Sequence, residues 1–205
     1  LQESFCPNGF ALKISGSTKV RLVHDLSYNH PGKPSVNDTQ LTAHSLNDKI
    51  SHILLLHRLY EQYATVDIAK YYNSIEMSPR DASLQKFWWK REGILSQGEW
   101  EPCVPICVQF GGRHSQAISQ LCKMDANRRF LSHRPDLQFW IAKSYSDDIC
   151  IANNELSVDK LLEDQKIVEN AMSKANFFFK EWQLARSEVK DCLLYTSDAA
   201  DEGHC

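Results

Sequence analysis

The sequence predicts an α+β fold, a largely antiparallel sheet with helices packed on it. Three features of its 205 residues predict this. Two short apolar, β-prone runs, YATVDI and ICIA, carry or adjoin aspartates and fit strands. Two longer stretches, beginning near Leu46 and Val158, space their apolar residues three and four apart, as a helix face requires. The elements follow in the order hairpin, helix, strand, strands, helix, hairpin, helix, without the regular strand–helix alternation of a parallel sheet.

From Phe10 to Leu26, FALKISGSTKVRLVHDL reads as two short strands around a turn at Ser15-Gly16-Ser17. A loop rich in Pro, Gly and Asn runs from Ser27 to Asp38. LNDKISHILLLHRLY then places apolar residues at 46, 50, 53, 54 and 56, a helix for which Asn47 is the expected N-cap. YATVDI follows as a strand carrying Asp67. KFWWKREGILSQGEWEPCVPICVQF reads as strands broken by turns and ends at Gly111-Gly112. SQAISQLCKMDANRRFL reads as a helix with an apolar stripe. FWIAKSY and ICIA are expected as two strands flanking Asp147-Asp148. Val158, Leu161, Leu162, Gln165, Val168, Met172 and Ala175 trace a final helix face, with Ser157 as its cap.

A content of 42% hydrophobic and 24% charged residues is that of an ordinary globular chain with room for one core. No apolar run approaches the roughly 18 residues of a membrane span, and no signal peptide opens the sequence. The chain starts at Leu1, so it is expected to be a piece of something longer. Residues Cys192 to Cys205, beginning CLLYTSDAADE, resemble translated read-through of a sequencing adapter and are set aside from residues 1–191. They include Asp198, Asp201 and Glu202 but no Lys or Arg, so without them 23 basic residues face 23 acidic ones and the net charge of −3 disappears. Cys6, Cys103, Cys107, Cys122 and Cys150 are odd in number and irregular in spacing, which argues against a disulfide framework. Cys103 and Cys107 lack the partners of a zinc site, and the scattered histidines suggest no triad.

The chemistry centres on SYSDDICIA. A YxDD match alone fits a polar turn as well as a site, since Asp favours turns. In an extended strand adjacent carboxylates point to opposite faces, whereas at a hairpin tip both can project from the sheet end. Asp67 provides a second acidic position at the end of another apolar strand, although a helix N-cap would explain it equally. Strand-borne carboxylates on one sheet could hold two divalent ions about 3.5–4 Å apart, and sparse acidic ligands suit Mg²⁺.

Six segments, in order, resemble the fingers and palm of a reverse transcriptase, most closely those of BEL/Pao-type retrotransposons. RLVHDLSYNHPGKPSVND is similar to the fingers strand, an R-x-V-x-D-x-S pattern with a Gly-containing loop and Asn-Asp. HRLYEQYATVDIAKYYNSI resembles the first palm motif, FWW the following aromatic strand, and QFGGRHSQA the Phe-Gly motif opening the palm helix. YSDD resembles the double-aspartate hairpin, and FFFKEW the closing Phe-x-x-x-x-Trp segment. The chain departs from the family at Gln109, where Pro is usual, at Ser146, and at Glu181, where a lysine is usual.

The resemblance implies a polymerase palm, an antiparallel sheet with helices on one face, plus part of the fingers subdomain. It implies an RNA-directed DNA polymerase, a nucleotidyltransferase using two Mg²⁺ ions, with Mn²⁺ as a substitute. Asp67, Asp147 and Asp148 would be the catalytic carboxylates and metal ligands, with the Ile68 carbonyl as a further ligand. Tyr72 would exclude the 2′-hydroxyl of ribonucleotides, with Tyr71 as the competing candidate. Arg21 would meet the triphosphate, with Lys13 or Lys19 as a second fingers cation. Gln109, Phe110 and Gly111 would lie along the nascent base pair. The implied partners are dNTPs, an RNA or DNA template with its primer, and the protease, RNase H and integrase of a retroelement polyprotein, with no membrane. The implied place is intracellular, in the cytoplasm or in virus-like particles. The thumb is expected to be missing, which would leave this piece inactive alone. One alternative is an inactive remnant that binds nucleic acid or protein. Another is a hydrolase, which would need a deep apolar pocket around a carboxyl of raised pKa.

Overall fold

The computed structural model describes residues 6–12, 20–60, 62–92, 97–153 and 158–186. It is an α+β fold whose central sheet has three antiparallel strands, and the expected turn at Ser15-Gly16-Ser17, Lys13, Lys19, Ser157 and Cys192 to Cys205 lie outside the described residues.

At the N-terminal side β1 (Asn8–Leu12) and β2 (Val20–His24) pair antiparallel, with Leu12 opposite Val20. Helix α1 (Ile50–Arg58) buries Ile53 and His57. Strand β3 (Gln62–Asp67) alternates buried with half-buried residues, the period of two that a pleated strand imposes. A short helix α2 (Pro79–Ala82) starts at Ser78, whose Oγ accepts from the Asp81 N–H at 3.2 Å, with Pro79 in the first turn where its missing N–H costs nothing. Strands β4 (Phe87–Trp89) and β5 (Glu101–Cys103) form a separate antiparallel pair.

The remaining elements are α3 (Ser115–Phe130), α4 (Pro135–Lys143), β6 (Asp148–Asn153), α5 (Val158–Ser173) and β7 (Gln183–Arg186). The central sheet has the order β6-β3-β7, both neighbours running antiparallel to β3. Ala64 and Val66 of β3, Ile149 and Ile151 of β6, Ile141 of α4 and Met172 of α5 are buried together in one core. Asn176 takes a positive φ of 61° after α5, a conformation Asn tolerates, and the Phe177 N–H reaches back to the Met172 carbonyl at 3.2 Å. That turn sends the chain back along β3. Among the described residues no helix is long and apolar enough to cross a membrane.

Three expectations are corrected. The segment containing FWIAK is helix α4, not the first strand of a hairpin. Pro135 opens it with a φ already helical, Asp136 sits in its first turn, and Leu137, Trp140 and Ile141 bury one face at helical spacing. Asn47 does not cap α1, whose N-cap is Lys49; its side chain is engaged elsewhere. The stripe of α3 is not apolar: Ser119, Gln120, Lys123 and Asn127 are buried, while Leu121 and Met124 are exposed.

Two predictions follow from the packing. Ile141→Ala should cost about 2–5 kcal/mol in denaturant unfolding. Phe139→Ala, on the exposed side, should cost at most about 1.5 kcal/mol for its edge contact with Trp140. A strand here would put both side chains on one face and make the losses alike. Burial between Tyr63 and Trp140 lowers the pKa of His57 from 6.5, and its Nδ1 has no hydrogen-bond partner among the described residues. A lowered histidine pKa means that the unfolded chain binds the proton better, so stability is lost as pH falls below about 6.5. His57→Leu should flatten that part of the stability–pH curve; an unchanged slope would refute the assignment.

Candidate active site

The acidic residues meet where β3 ends. Asp67 is the last residue of β3 and Asp148 the first of β6, and the register sets them directly opposite each other. Directly opposed residues of an antiparallel pair share a face. Asp147 precedes β6 in the turn, and its backbone carbonyl accepts from the Ile68 N–H at 3.0 Å. The carboxyls of Asp147 and Asp67 lie against each other, close enough to favour a proton on Asp147. Burial first, and then the neighbouring Asp67, push the Asp147 carboxyl up to about 7. The Lys180 ammonium pairs with Asp67 Oδ2. Backbone pairing delivers Lys180: its N–H donates to the Asp67 carbonyl at 3.0 Å, and the Ala69 N–H donates to the Phe178 carbonyl at 2.7 Å. Those bonds use the backbone on either side of Ile68 and leave the Ile68 carbonyl out of the pairing.

The turn that presents Asp147 is held from several sides. The Asp148 N–H donates to the Tyr145 carbonyl at 2.8 Å and Ser146 takes a φ of +47°, a costly conformation for a residue with a Cβ. Asn47 Oδ1 accepts from the Ser146 N–H at 3.2 Å and also from the Gln120 side chain. Lys123 Nζ donates to the Ser146 carbonyl at 2.6 Å and the Ser144 carbonyl at 3.3 Å. Ser144 Oγ accepts from the Cys150 N–H at 3.0 Å and donates to the Trp140 carbonyl at 2.8 Å. The adjoining Asp48 pairs with Lys143 at the end of α4, 2.6 Å apart.

Beside the carboxyls stands an aromatic pair. Tyr71 is core, 2% exposed and against Phe177. Tyr72 is half-buried and meets the 55%-exposed Phe110 edge-to-face, ring centres 4.7 Å apart. Of the two tyrosines, Tyr72 is therefore the one beside the Gln109–Phe110–Gly111 segment. Gly111 needs its positive φ of 82°, and a Cβ on Gly112 would come within 2.5 Å of Ser115 Oγ, which donates to the Gln109 carbonyl at 2.7 Å. Gln109 turns its own amide to the Cys107 carbonyl at 2.9 Å. Buried Asn37 ties this turn to the loop after β2, donating to Ser27 Oγ at 2.8 Å and the Gly111 carbonyl at 2.9 Å and accepting from the Arg113 N–H at 3.1 Å. Arg21 is placed on β2 opposite Ala11.

The structure thus brings Asp67 and Asp147 into contact and sets Asp148 and Ile68 beside them. Among the described residues no group of three or more His, Cys, Asp or Glu side chains is gathered as a ligand set. Two cavities, of about 400 and 490 Å³, lie elsewhere and include none of the three aspartates, so neither is the deep pocket a hydrolase would need. Sequence reading missed Lys180, Lys123, Asn47 and Asn37. Only Lys180 carried a signal, through its place in FFFKEW. No protein-family model matches this sequence, and no curated protein matches it either.

Asn37→Ala removes two hydrogen bonds between the loop after β2 and the Gly111 turn, and a third within the loop itself. It should destabilise the chain by about 1–3 kcal/mol, measured by denaturant unfolding, because the buried Asn37 amide loses the bonds that tie the loop to the turn, leaving only the exposed Arg113–Asp38 ion pair between their side chains among the described residues.

Proposed function

We propose that this chain is the palm and part of the fingers of a template-directed nucleotidyltransferase, an RNA-directed DNA polymerase of the BEL/Pao retroelement type that its motifs resemble. The observation that supports this most directly is the meeting of the Asp67 and Asp147 carboxyls at one end of the sheet, with Asp148 opposite Asp67. The donor set fits a hard divalent cation: adjacent carboxyl oxygens whose mutual repulsion raises the Asp147 pKa, one of them paired with an ammonium, are ones that a cation can take over. Asp67, Asp147, Asp148 and the Ile68 carbonyl would hold Mg²⁺. When bound, Mg²⁺ would supply Lewis acidity to a primer 3′-hydroxyl and to the triphosphate.

The chain's own residues divide the rest of the work. Tyr72, backed by Phe110, forms an aromatic wall on which the sugar of an incoming nucleotide would rest, leaving no room for a 2′-hydroxyl. Gln109, Phe110 and Gly111 would lie along the nascent base pair, with Gly111 permitting close backbone approach. Arg21 on β2 would meet the triphosphate through its planar fork of donors. A primer–template duplex would be held by phosphate contacts rather than base readout.

Primer extension on an RNA template with Mg²⁺ and dNTPs tests the reading. Joined to the missing thumb, the parent chain should extend the primer, and Asp67→Asn or Asp147→Asn should lower the rate by more than about 100-fold, the scale on which loss of one electrostatic stabiliser acts. Tyr72→Ala should raise ribonucleotide incorporation relative to deoxyribonucleotide. No extension with duplex binding retained would point to a binding remnant instead, and neither activity would remove the reading.

A further inference from the structure

Lys123 is 1% exposed in the middle of α3, among the most enclosed side chains of the described residues. A buried ammonium is costly unless its protons find acceptors, and a methionine would fill the same space without that cost. Both acceptors of Lys123 are carbonyls of the segment leading into Asp147, those of Ser144 and Ser146. Ser146 is the residue whose φ of +47° turns the chain there. Its N–H is held from the other side by Asn47 Oδ1. The peptide groups on both sides of Ser146 are therefore fixed, one by a neutral acceptor and one by an ammonium. Burial lowers the Lys123 pKa to about 8, while Asp147 and Asp148 act in the opposite direction; the ammonium persists at neutral pH.

We propose that Lys123 is a positioning residue for the carboxyl-bearing turn: by donating to the Ser144 and Ser146 carbonyls from beneath, it holds Ser146 in its left-handed conformation and so sets Asp147 against Asp67. Its consequence for catalysis rests on the nucleotidyl-transfer reading; its consequence for the turn does not.

The test uses the full chain and three variants: Lys123→Met, Ser146→Gly, and both together. The first readout is hydrogen exchange of the Asp148 amide, which closes the turn onto Tyr145. Lys123→Met should speed that exchange about tenfold to a hundredfold, the effect of losing charge-assisted hydrogen bonds. Ser146→Gly should restore most of the protection in the Lys123→Met background, because glycine takes a positive φ without strain. A lysine that merely fills the core gives no such rescue, and unchanged exchange or absence of rescue overturns the proposal. The second readout is primer extension by the same chains joined to the missing thumb, where Lys123→Met should lower kcat with little change in KM for dNTP, again recovered by Ser146→Gly. If Asp147→Asn abolishes extension while Lys123→Met leaves both readouts alone, the positioning role fails and the polymerase reading stands. If no variant or parent extends a primer but the exchange effect and its rescue appear, the polymerase reading fails and the positioning role stands. Should Lys123→Met not fold, ¹⁵N-lysine spectra of the parent decide: an ammonium donating to two buried carbonyls keeps its protons long enough to be seen at neutral pH, and a rapidly exchanging one overturns the proposal.

Discussion

The arrangement of the site depends on β3 being paired on both edges in one fixed register. On one edge its six residues match β6 from Gln62 opposite Asn153 to Asp67 opposite Asp148. On the other edge it matches β7, and the pairing continues past the strand through Phe178 and Lys180. The first register carries the turn of Asp147 over the end of β3. The second carries Lys180 to the opposite side of Asp67. A slip of one residue in either would turn every side chain of that strand to the wrong face. Alternating burial along β3 makes such a slip costly, because Ala64 and Val66 would leave the core. The position of the carboxyls is thus a consequence of hydrophobic packing several residues away.

That dependence explains what was legible in the sequence. The strand of Asp67, the β1–β2 hairpin and the final helix announced themselves through period, as did the acidic residues at strand ends. The helix α4 did not, because FWIAK is short, apolar and aromatic, and a run of that length reads equally as a strand. Pro135 and Asp136 were the helix signal, placed just before the run that drew the eye. The polar face of α3 was hidden for a related reason: Ser119, Gln120, Lys123 and Asn127 look like a solvent face until the fold covers them, with Asn127 reaching Gln138 of α4, Lys123 the Ser144 and Ser146 carbonyls and Gln120 the side chain of Asn47. Asn47 stands where an N-cap could stand, and nothing local distinguishes a cap from a side chain reaching Ser146. Sequence pattern located the acidic residues; tertiary contacts supply what holds them.

Those contacts also account for how three acidic side chains come to be collected at one end of a sheet. Carboxylates a few ångströms apart in a partly dry site repel strongly, and each must be offset by a proton, a cation or hydrogen-bond donors. Here burial and the neighbouring Asp67 favour a proton on Asp147, and Lys180 faces Asp67. Lys123, beneath the turn, is influenced by both Asp147 and Asp148. The two lysines differ in kind. Lys180 reaches Asp67 with a half-exposed side chain, so a stronger cation arriving from solvent can displace it at little cost. Lys123 is enclosed and bonded to backbone carbonyls, so it stays when the carboxyls change partners. On the proposed reading, a site that exchanges an ammonium for metal ions would need one offset that leaves and another that does not. Otherwise the turn would lose its support at the moment the carboxyls took their new ligands. Asp147 and Asp148 in turn ease the burial of the Lys123 charge, so the enclosed ammonium and these half-buried carboxylates stabilise each other.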